Sequence, residues 1–484
     1  MKNLNLIFGV SSLVFVFLFS PALNTIAQTE TPPAPAPPKS ISVPAAQERK
    51  LPNGLTVAVI ERKSSPLVTA QLMVRAGASS EADNKAGLAN FTADLLTKGT
   101  TTRSATQIAE DMAFLGTELN TGAGWNSSTV SFTATPDNLP GALEVMADVV
   151  MNPTFKQEEL DLLKSQTLDE LKYNLKQPSF IGNYVASKFT FGEHPAGGTP
   201  SSINTITRDD VAAFHEIYIP QNSVLIFAGD ITLEQAASLA SKAFASWKGG
   251  RPLAKGDGIS VGRSRDSGRM LVIDLPNSGQ ASVTYALEVS GVGRRDKRFY
   301  DAAVLNSVLG GGYSSRLNYE IRIKRGLSYG AGSNFAWRGL NSDFATRVQT
   351  KNVSAAEVAQ LTVAEIKRLT AESVPNGELV PRKSTLTGNF GRNLETTAGL
   401  ASAVAELYSY GIPASELNNY MSSVNAVSDA QIRDFASKNL LGGDLIIVGD
   451  YSVFKNDLAK RFPNMKVDVI KADDLDLSKD NLRK

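Results

Sequence analysis

The sequence repeats one arrangement of residues, and this repeat is the feature that most constrains its fold. A stretch that ends in Gly229 and Asp230 resembles one that ends in Gly449 and Asp450, 220 residues further on. Near the start of each copy, a strand-like run around Val59 returns around Val272, 213 residues further on. Similar offsets at both ends indicate two like domains joined in series.

The first copy contains a clear succession of apolar patterns. These predict strands at 51–60, 67–74 and 127–134. Helical spacing of apolar residues predicts helices at 87–99, around 105–115, from 138 onward and at 157–175. The second copy opens with predicted strands at 271–274 and 282–289. The first copy therefore mixes strands with helices, and the repeat implies the same for the second.

Composition excludes several kinds of site. The chain has no cysteine and two histidines, so disulfides, a thiol nucleophile and a cysteine zinc site are excluded. His215 precedes Glu216 but has no second histidine four residues on, and His194 lies in a Gly-Glu-His-Pro turn. We expect both histidines to be structural. A net charge of +1, from 49 basic and 48 acidic residues, gives no electrostatic reason to expect a nucleic-acid partner.

The N-terminus predicts export. Residues 1–27 have a positive start, a short apolar run and a small-residue cleavage site, as secretory signals do, which places the mature protein in the periplasm or outside the cell. An uncleaved membrane anchor is the alternative. Prolines mark 28–44 as an extended linker. The remaining chain divides into an N-terminal domain at 45–248, a linker at 249–268, a C-terminal domain at 269–465 and a charged tail at 466–484.

The predicted helix at 87–99 carries the most informative motif. It reads Gly-Leu-Ala-Asn-Phe-Thr-Ala-Asp and ends in Lys-Gly-Thr, and it places Asn90, Ala93 and Asp94 on one face. This frame resembles the metal-site helix of the pitrilysin (M16) zinc peptidases, Gly-Leu-Ala-His-Phe-x-Glu-His. There the two histidines bind zinc and the glutamate is the general base. Here Asn90 and Asp94 occupy the histidine positions and Ala93 the glutamate position, so neither zinc binding nor proton transfer is expected.

The resemblance extends over about residues 45–465 and implies a fold. It is an α+β fold of two similar domains, each a mainly antiparallel sheet with helices packed on it. In that family a glutamate at the position of Glu170 is the third zinc ligand. Asn90, Asp94 and Glu170 could together offer oxygen ligands to a hard cation. We expect a solvated or hydrogen-bonded cluster instead.

In the second copy, Arg322 and Tyr329 match a pair that M16 proteins direct at the zinc of another domain. A Gly-Gly-Gly-x-Ser-Ser-Arg-Leu segment precedes them, and Gly326 is predicted to end the intervening helix. The resemblance implies that the pair holds the substrate backbone and stabilises the oxyanion. A structural alternative is that Arg322, with its basic neighbours, complements a helix C-terminus while Tyr329 is half buried in a strand.

The resemblance implies a non-catalytic subunit of a heteromeric zinc endopeptidase, inactive on its own. A partner with an intact His-x-x-Glu-His would hold the zinc, whereas this chain would bind none and would supply Arg322 and Tyr329. Peptides are the expected substrates, and a homodimer is also possible. The alternative is a catalytically dead homologue with a scaffolding role, as in the core subunits of the cytochrome bc1 complex. A lone peptidase would need ligands that the sequence lacks.

Overall fold

The computed structural model describes residues 42–253 and 268–484. The predicted signal at 1–27 lies outside these ranges, as do most of the linkers at 28–44 and 249–268. Within the described residues, no helix combines the length and apolar character needed to cross a bilayer.

The first half of the chain forms a six-stranded sheet in the order β1-β2-β6-β3-β5-β4. Its strands are β1 Gln47–Lys50, β2 Thr56–Glu61, β3 Val68–Val74, β4 Asn120–Ala123, β5 Ser128–Ala134 and β6 Ser223–Gly229. Neighbours are antiparallel except β2 and β6, which are parallel. Every residue of β3 is buried, whereas β5 alternates between buried and half-buried residues. The central strand is therefore covered on both faces.

The helices of the first half are α1 Leu88–Leu95, α2 Ala105–Phe114, α3 Leu139–Met151, α4 Gln157–Asn174, α5 Pro178–Phe189, α6 Pro200–Thr205, α7 Arg208–His215 and α8 Leu233–Ala243. Several begin at a hydroxyl residue that satisfies a free backbone amide. Thr207, for example, accepts a hydrogen bond from the Asp210 N–H, and the Asp210 side chain accepts one from the Thr207 N–H. These local signals explain why helix starts were predictable from sequence.

The second half forms another six-stranded sheet, in the order β12-β7-β11-β8-β10-β9. Its strands are β7 Met270–Asp274, β8 Ala281–Val289, β9 Ser328–Trp337, β10 Ser342–Thr350, β11 Asp444–Gly449 and β12 Val467–Lys471. Strand β7 runs parallel to β11 and β12, and the other pairs are antiparallel. Strand β9 has one neighbour and forms an edge of the sheet.

The helices of the second half are α9 Phe299–Leu309, α10 Ala355–Ala371, α11 Asn376–Asn393, α12 Thr397–Ser409, α13 Glu416–Ala426, α14 Asp429–Asn439 and α15 Tyr451–Arg461. A π-helical segment, Asn318–Ile323, precedes β9. Ser428 caps α14 through the same reciprocal hydrogen bonds that Thr207 makes at α7, 221 residues earlier. The repeat therefore extends to individual hydrogen bonds, since equivalent helices of the two halves are capped in the same way.

The two halves share one order of elements, which confirms the predicted α+β fold of two similar, mainly antiparallel domains. Five strands correspond one to one, from β2 and β7 at one side to β4 and β9 at the other. The sixth differs, because β1 enters the first sheet from the N-terminus and β12 enters the second from the C-terminus. The segment 466–484, predicted as a charged tail, therefore supplies a strand that the sequence pattern did not reveal.

Each half also covers the sheet of the other. Helix α5 of the first half buries Ile181 and Val185 against the second sheet, in a cluster that includes Ile446. Helix α12 of the second half buries Leu400 and Val404 against the first sheet. Because each sheet needs a helix from the other half to bury its second face, the halves stabilise one another.

Candidate functional site

The N-terminus of α1 is fixed by a buried carboxylate. Gly87 precedes the helix with φ of 96°, a left-handed conformation that favours glycine. Glu81 accepts hydrogen bonds from the N–H groups of Gly87 and Ala89, at 3.0 and 2.6 Å. Burial raises the pKa of the Glu81 carboxyl, while His194 and the two amides oppose that rise. Negative charge here complements the positive end of the helix.

In this chain, the residues at the positions of the family's two zinc-binding histidines and its general base make contacts with other parts of the protein. Asn90 donates through its side-chain N–H to the carbonyl oxygen of Ala196, at 2.9 Å. Ala93 is fully buried. Asp94 is half buried, and this burial raises the pKa of its carboxyl, with Lys98 acting in the opposite direction. The face of α1 that the motif singles out is therefore partly packed against the protein, with Ala93 enclosed and Asn90 and Asp94 half buried.

Glu170 lies on α4 and is exposed. Asn174, one turn later, is 3.4 Å from its Oε1. Burial raises the pKa of Tyr184 to about 12, and the Glu170 carboxylate contributes to that rise. A Cβ on Gly197 would lie 2.4 Å from the Tyr184 hydroxyl, so Tyr184 packs against the loop whose Ala196 carbonyl accepts the hydrogen bond from Asn90.

These residues do not fit zinc. Zinc sites in proteins use imidazole, thiolate and carboxylate ligands. Asn90 offers an amide already bonded to a carbonyl and Ala93 offers no polar atom, which leaves Asp94 and Glu170 as the two carboxylates of the site. In residues 42–253 and 268–484, no group of three His, Cys, Asp or Glu side chains is arranged to hold a metal ion.

The two histidines have different surroundings. His215 Nε2 lies 2.8 Å from the carbonyl oxygen of Val150, and burial lowers the pKa of its imidazole. His194 Nε2 lies 2.9 Å from Glu81 Oε2, and its ring lies 5.3 Å from that of Trp125. His194 thus extends the polar contacts at the start of α1, which its place in a turn did not predict.

A buried ion cluster next to His194 joins the two halves. Arg338, in the turn after β9, donates two hydrogen bonds to Glu193, at 3.0 and 2.7 Å, and lies 2.6 Å from Asp343. Its guanidinium also lies 4.5 Å from the ring centroid of Trp125. Burial raises the pKa of Asp343 well above its usual range, and Arg338 opposes this rise. Sequence analysis did not find this cluster, because isolated charges carry no sign of burial.

Arg322 lies at the end of the π-helical segment, and its neighbours distinguish it from the nearby cations. Lys324 and Arg325 both pair with Glu320. Among the described residues, no carboxylate lies within 4.0 Å of the Arg322 guanidinium, which instead lies 5.0 Å from the ring centroid of Tyr313. The sequence predicted that a turn brings Arg322 to Tyr329. The structure shows Tyr313 as its aromatic neighbour.

Tyr329 lies at the start of the edge strand β9 and is 89% exposed. The pairing of β9 with β10 is regular up to Ala331 and resumes shifted at Ser328, so Tyr329 and Gly330 form an irregularity opposite one residue of β10. Bulges reorient side chains, and both bulges and π-helical turns occur often at functional sites. As predicted, Gly326 ends the helical segment, with φ of 65°.

The glycine-rich loop packs closely on β9. A Cβ on Gly310 would lie 2.3 Å from the Ser333 nitrogen, and the Gly310 carbonyl accepts a hydrogen bond from that N–H. The buried Asn318 side chain donates to the Tyr313 carbonyl and accepts from the Ala331 N–H. The loop that carries Tyr313 is therefore held against the strand that carries Tyr329.

The Arg322 region is separate from the contacts around α1. From Tyr329 to Trp337, β9 rises by eight residues, or about 26 Å at about 3.3 Å per residue. Arg338, which follows Trp337, touches Glu193 and Trp125 of the first half. Tyr329, and Arg322 in the segment that precedes β9, thus lie near the opposite end of β9 from these contacts.

Comparison with known proteins gives consistent results. The model for insulinase (peptidase family M16) matches residues 56–194, and the model for the peptidase M16 inactive domain matches residues 205–386. An uncharacterized zinc protease of Mycobacterium tuberculosis is 28% identical over 375 residues, which cover 75% of this chain and 83% of the relative. One from Bacillus subtilis is 26% identical over 353 residues, which cover 71% and 83%.

Solved structures show the same fold. A peptidase M16 inactive domain from Pseudomonas fluorescens superposes with a TM-score of 0.77 at 26% identity, over 84% of this chain and 97% of that one. A protease from Helicobacter pylori gives 0.78 at 20% identity, over 84% and 100%. The two family models together match well over half of the sequence. The chain therefore belongs to the M16 (insulinase) peptidase family.

Proposed function

We propose that this chain is the non-catalytic subunit of a heteromeric M16 endopeptidase, exported to the periplasm or beyond. A partner subunit with an intact His-x-x-Glu-His would hold the zinc. This chain would supply Arg322 and Tyr329 for peptide binding and oxyanion stabilisation. The observation that carries the proposal is the surroundings of Arg322. It is the cation of its segment that lacks a carboxylate partner among the described residues, and it lies beside a loop packed on the strand of Tyr329.

The chemistry of the two side chains suits these roles. Arg322 remains charged at any working pH and can bind a peptide carbonyl. Tyr329 can donate its phenolic hydrogen to an oxygen that develops negative charge, and this interaction strengthens where water is excluded. Because Tyr329 is 89% exposed in this chain, a partner subunit and its substrate would have to provide that exclusion.

The family offers a second function, a scaffold without a part in catalysis. It is favoured by the closed packing of α1, where Asn90 bonds Ala196 and Ala93 is fully buried. A scaffold would not require Arg322 to lie beside the exposed Tyr313 without a carboxylate partner. Substitutions at Arg322 and Tyr329 therefore distinguish the two functions.

The experiment uses a complex of this chain with an M16 chain that carries His-x-x-Glu-His and copurifies with it. Tyr329→Phe should lower kcat for a fluorogenic peptide by about 100-fold, with a smaller effect on KM, because the hydroxyl acts mainly in the transition state. Arg322→Ala should lower kcat and also raise KM.

Tyr319→Phe and Lys324→Ala are matched controls, since both residues are exposed in the same segment and Lys324 already pairs with Glu320. Both controls should retain wild-type rates, and all four variants should form the complex. If the Tyr329 and Arg322 variants assemble and cleave at wild-type rates, the chain is a scaffold.

A further inference from the structure

The second half contains a cavity away from α1 and Arg322. Its volume is about 610 Å³, and it lies between α11, α12, α13 and the start of α9. Much of its wall is apolar, and Phe390 stacks on Tyr420 with ring centroids 4.2 Å apart. The volume falls within the range of about 300–1,000 Å³ that is typical of small-molecule sites. The cavity can therefore enclose a compact ligand with a large apolar group.

A buried cation lies in the wall of this cavity. Arg294 is 8% exposed, and its guanidinium lies 3.8 Å from the ring centroid of Phe299. Its Nε has no hydrogen-bond partner within the described parts of the chain. The Glu406 carboxylate is 3.9 Å from that nitrogen, which is too far for a hydrogen bond. Because this Nε is enclosed by protein, a ligand would reach the guanidinium through its terminal nitrogens, and a ligand carboxylate there would compensate the buried charge better than Glu406 does.

The other two charged groups of the wall, Glu416 and Arg392, make side-chain hydrogen bonds. Glu416 accepts hydrogen bonds from the Tyr300 hydroxyl and from the side chain of Asn419. Arg392 is exposed and donates to Asn389. Arg294 and Glu406 are a pair of opposite charges in this wall that no hydrogen bond joins, since 3.9 Å separates them, and the exposed Glu406 carboxylate is accessible to a ligand.

We infer that this cavity binds a small zwitterion, an α-amino acid with a large apolar side chain. Its carboxylate would accept hydrogen bonds from Arg294, and its ammonium group, two bonds from the carboxyl carbon, would donate to Glu406. Its side chain would occupy the apolar space beside Phe390 and Tyr420. Both ligand charges are needed, because an anion alone would lie beside the Glu406 carboxylate and a cation alone beside Arg294.

The test measures binding of three ligands to the purified chain by isothermal titration calorimetry. L-Phenylalanine should bind at one molecule per chain. N-acetyl-L-phenylalanine, which lacks the ammonium charge, and L-phenylalaninamide, which lacks the carboxylate, should each bind about tenfold more weakly or worse, because each loses a charge-assisted interaction. Equal binding of all three, or no binding of L-phenylalanine at millimolar concentration, would overturn the inference.

Two variants locate the site. Arg294→Gln should abolish binding of L-phenylalanine. Ala403→Phe should abolish it as well, because Ala403 lines the cavity and the larger side chain would fill it while Arg294 remains. Arg49→Gln is the control, since Arg49 forms an exposed ion pair with Glu234 on the first half. The melting temperature of each variant should be measured first, so that binding is compared only among variants that are folded at the temperature of the titration. Binding that survives Ala403→Phe in a folded protein places the ligand elsewhere and refutes the site.

Discussion

The ion cluster around Arg338 gives the sharpest test of how the halves are held together. Replacing Arg338 by methionine keeps much of the apolar side chain and removes the charge. The guanidinium of Arg338 compensates two carboxylates, Glu193 and Asp343, that are 9% and 4% exposed. The substitution leaves both without their cation in a site that water enters poorly.

The size of the effect follows from this burial. Removing one partner of a buried ion pair costs about 3–5 kcal/mol, because the remaining charge stays desolvated. Loss of the contact with Trp125 adds about 0.5–2 kcal/mol. These contributions overlap, so we expect Arg338→Met to lower the free energy of unfolding by about 4 kcal/mol near neutral pH. Since Glu193 and Arg338 belong to different halves, the halves should also unfold less cooperatively.

The effect should depend on pH in a defined direction. The pKa of Asp343 in the folded protein is raised by burial, and Arg338 opposes that rise. Without Arg338 the folded-state pKa of Asp343 rises further, so the folded variant retains a proton over a wider range than the unfolded chain does. Stability then falls as pH rises through that range. The loss caused by Arg338→Met should therefore be smaller at pH 5 than at pH 8.

Urea unfolding, followed by circular dichroism at pH 5, 6.5 and 8, measures these effects. Arg347→Met is the matched control. Arg347 donates to the amide oxygen of Asn183 across the same boundary, so its loss leaves no buried carboxylate and should cost about 1 kcal/mol at every pH. Adding Asp343→Asn to the Arg338 variant should reduce the pH dependence. A cost for Arg338→Met below that of the control, or one that grows toward acid pH, would refute the reasoning.

The remaining predictions concern the two family sites and the N-terminus. The purified wild-type chain should bind no stoichiometric zinc by metal analysis, whereas Asn90→His with Asp94→His should bind it weakly and lose it again on Glu170→Gln, since residues four apart share a helix face. In the reconstituted complex, Tyr313→Leu should raise KM in the same direction as loss of Arg322, because Tyr313 is the ring that Arg322 contacts. N-terminal sequencing of the native protein should begin near Gln28, and recovery of the intact N-terminus in a membrane fraction would favour an anchor.

Many helices and strands were predictable from local patterns, and the fold itself from the repeat together with the family resemblance. Helix starts such as that of α2 are encoded by a serine and a glutamine three residues later, which form reciprocal hydrogen bonds. The alternation of β5 reports its half-buried position. The repeat then converts each assignment in one half into an expectation for the other. Strand β12 was not predicted, because it has no counterpart in the first half and pairs in parallel with β7, a strand far away in the sequence.

The residues of the family motifs were easier to find from the sequence than the residues that they contact. Asn90, Arg322 and Tyr329 follow from a motif whose spacing is fixed within a single helix or turn. Contacts with distant parts of the chain were not found, such as the hydrogen bond from Asn90 to Ala196 and the ion pair of Arg338 with Glu193. Pairing across 100 residues or more depends on how the sheets and helices meet, and sequence patterns do not carry that information.

The retained frame of α1 has a physical explanation that does not involve catalysis. Leu88, Phe91 and Leu95 are buried in the first core, and Gly87 needs a left-handed backbone where Glu81 caps the helix. Substitutions there would open cavities or strain the backbone, at costs of several kcal/mol. The two ligand positions carry a weaker constraint, because Asn90 and Asp94 are only half buried, and the buried base position is filled by the small side chain of Ala93. Zinc chemistry can therefore be lost from this helix while its packing, and the family pattern that the packing requires, is preserved.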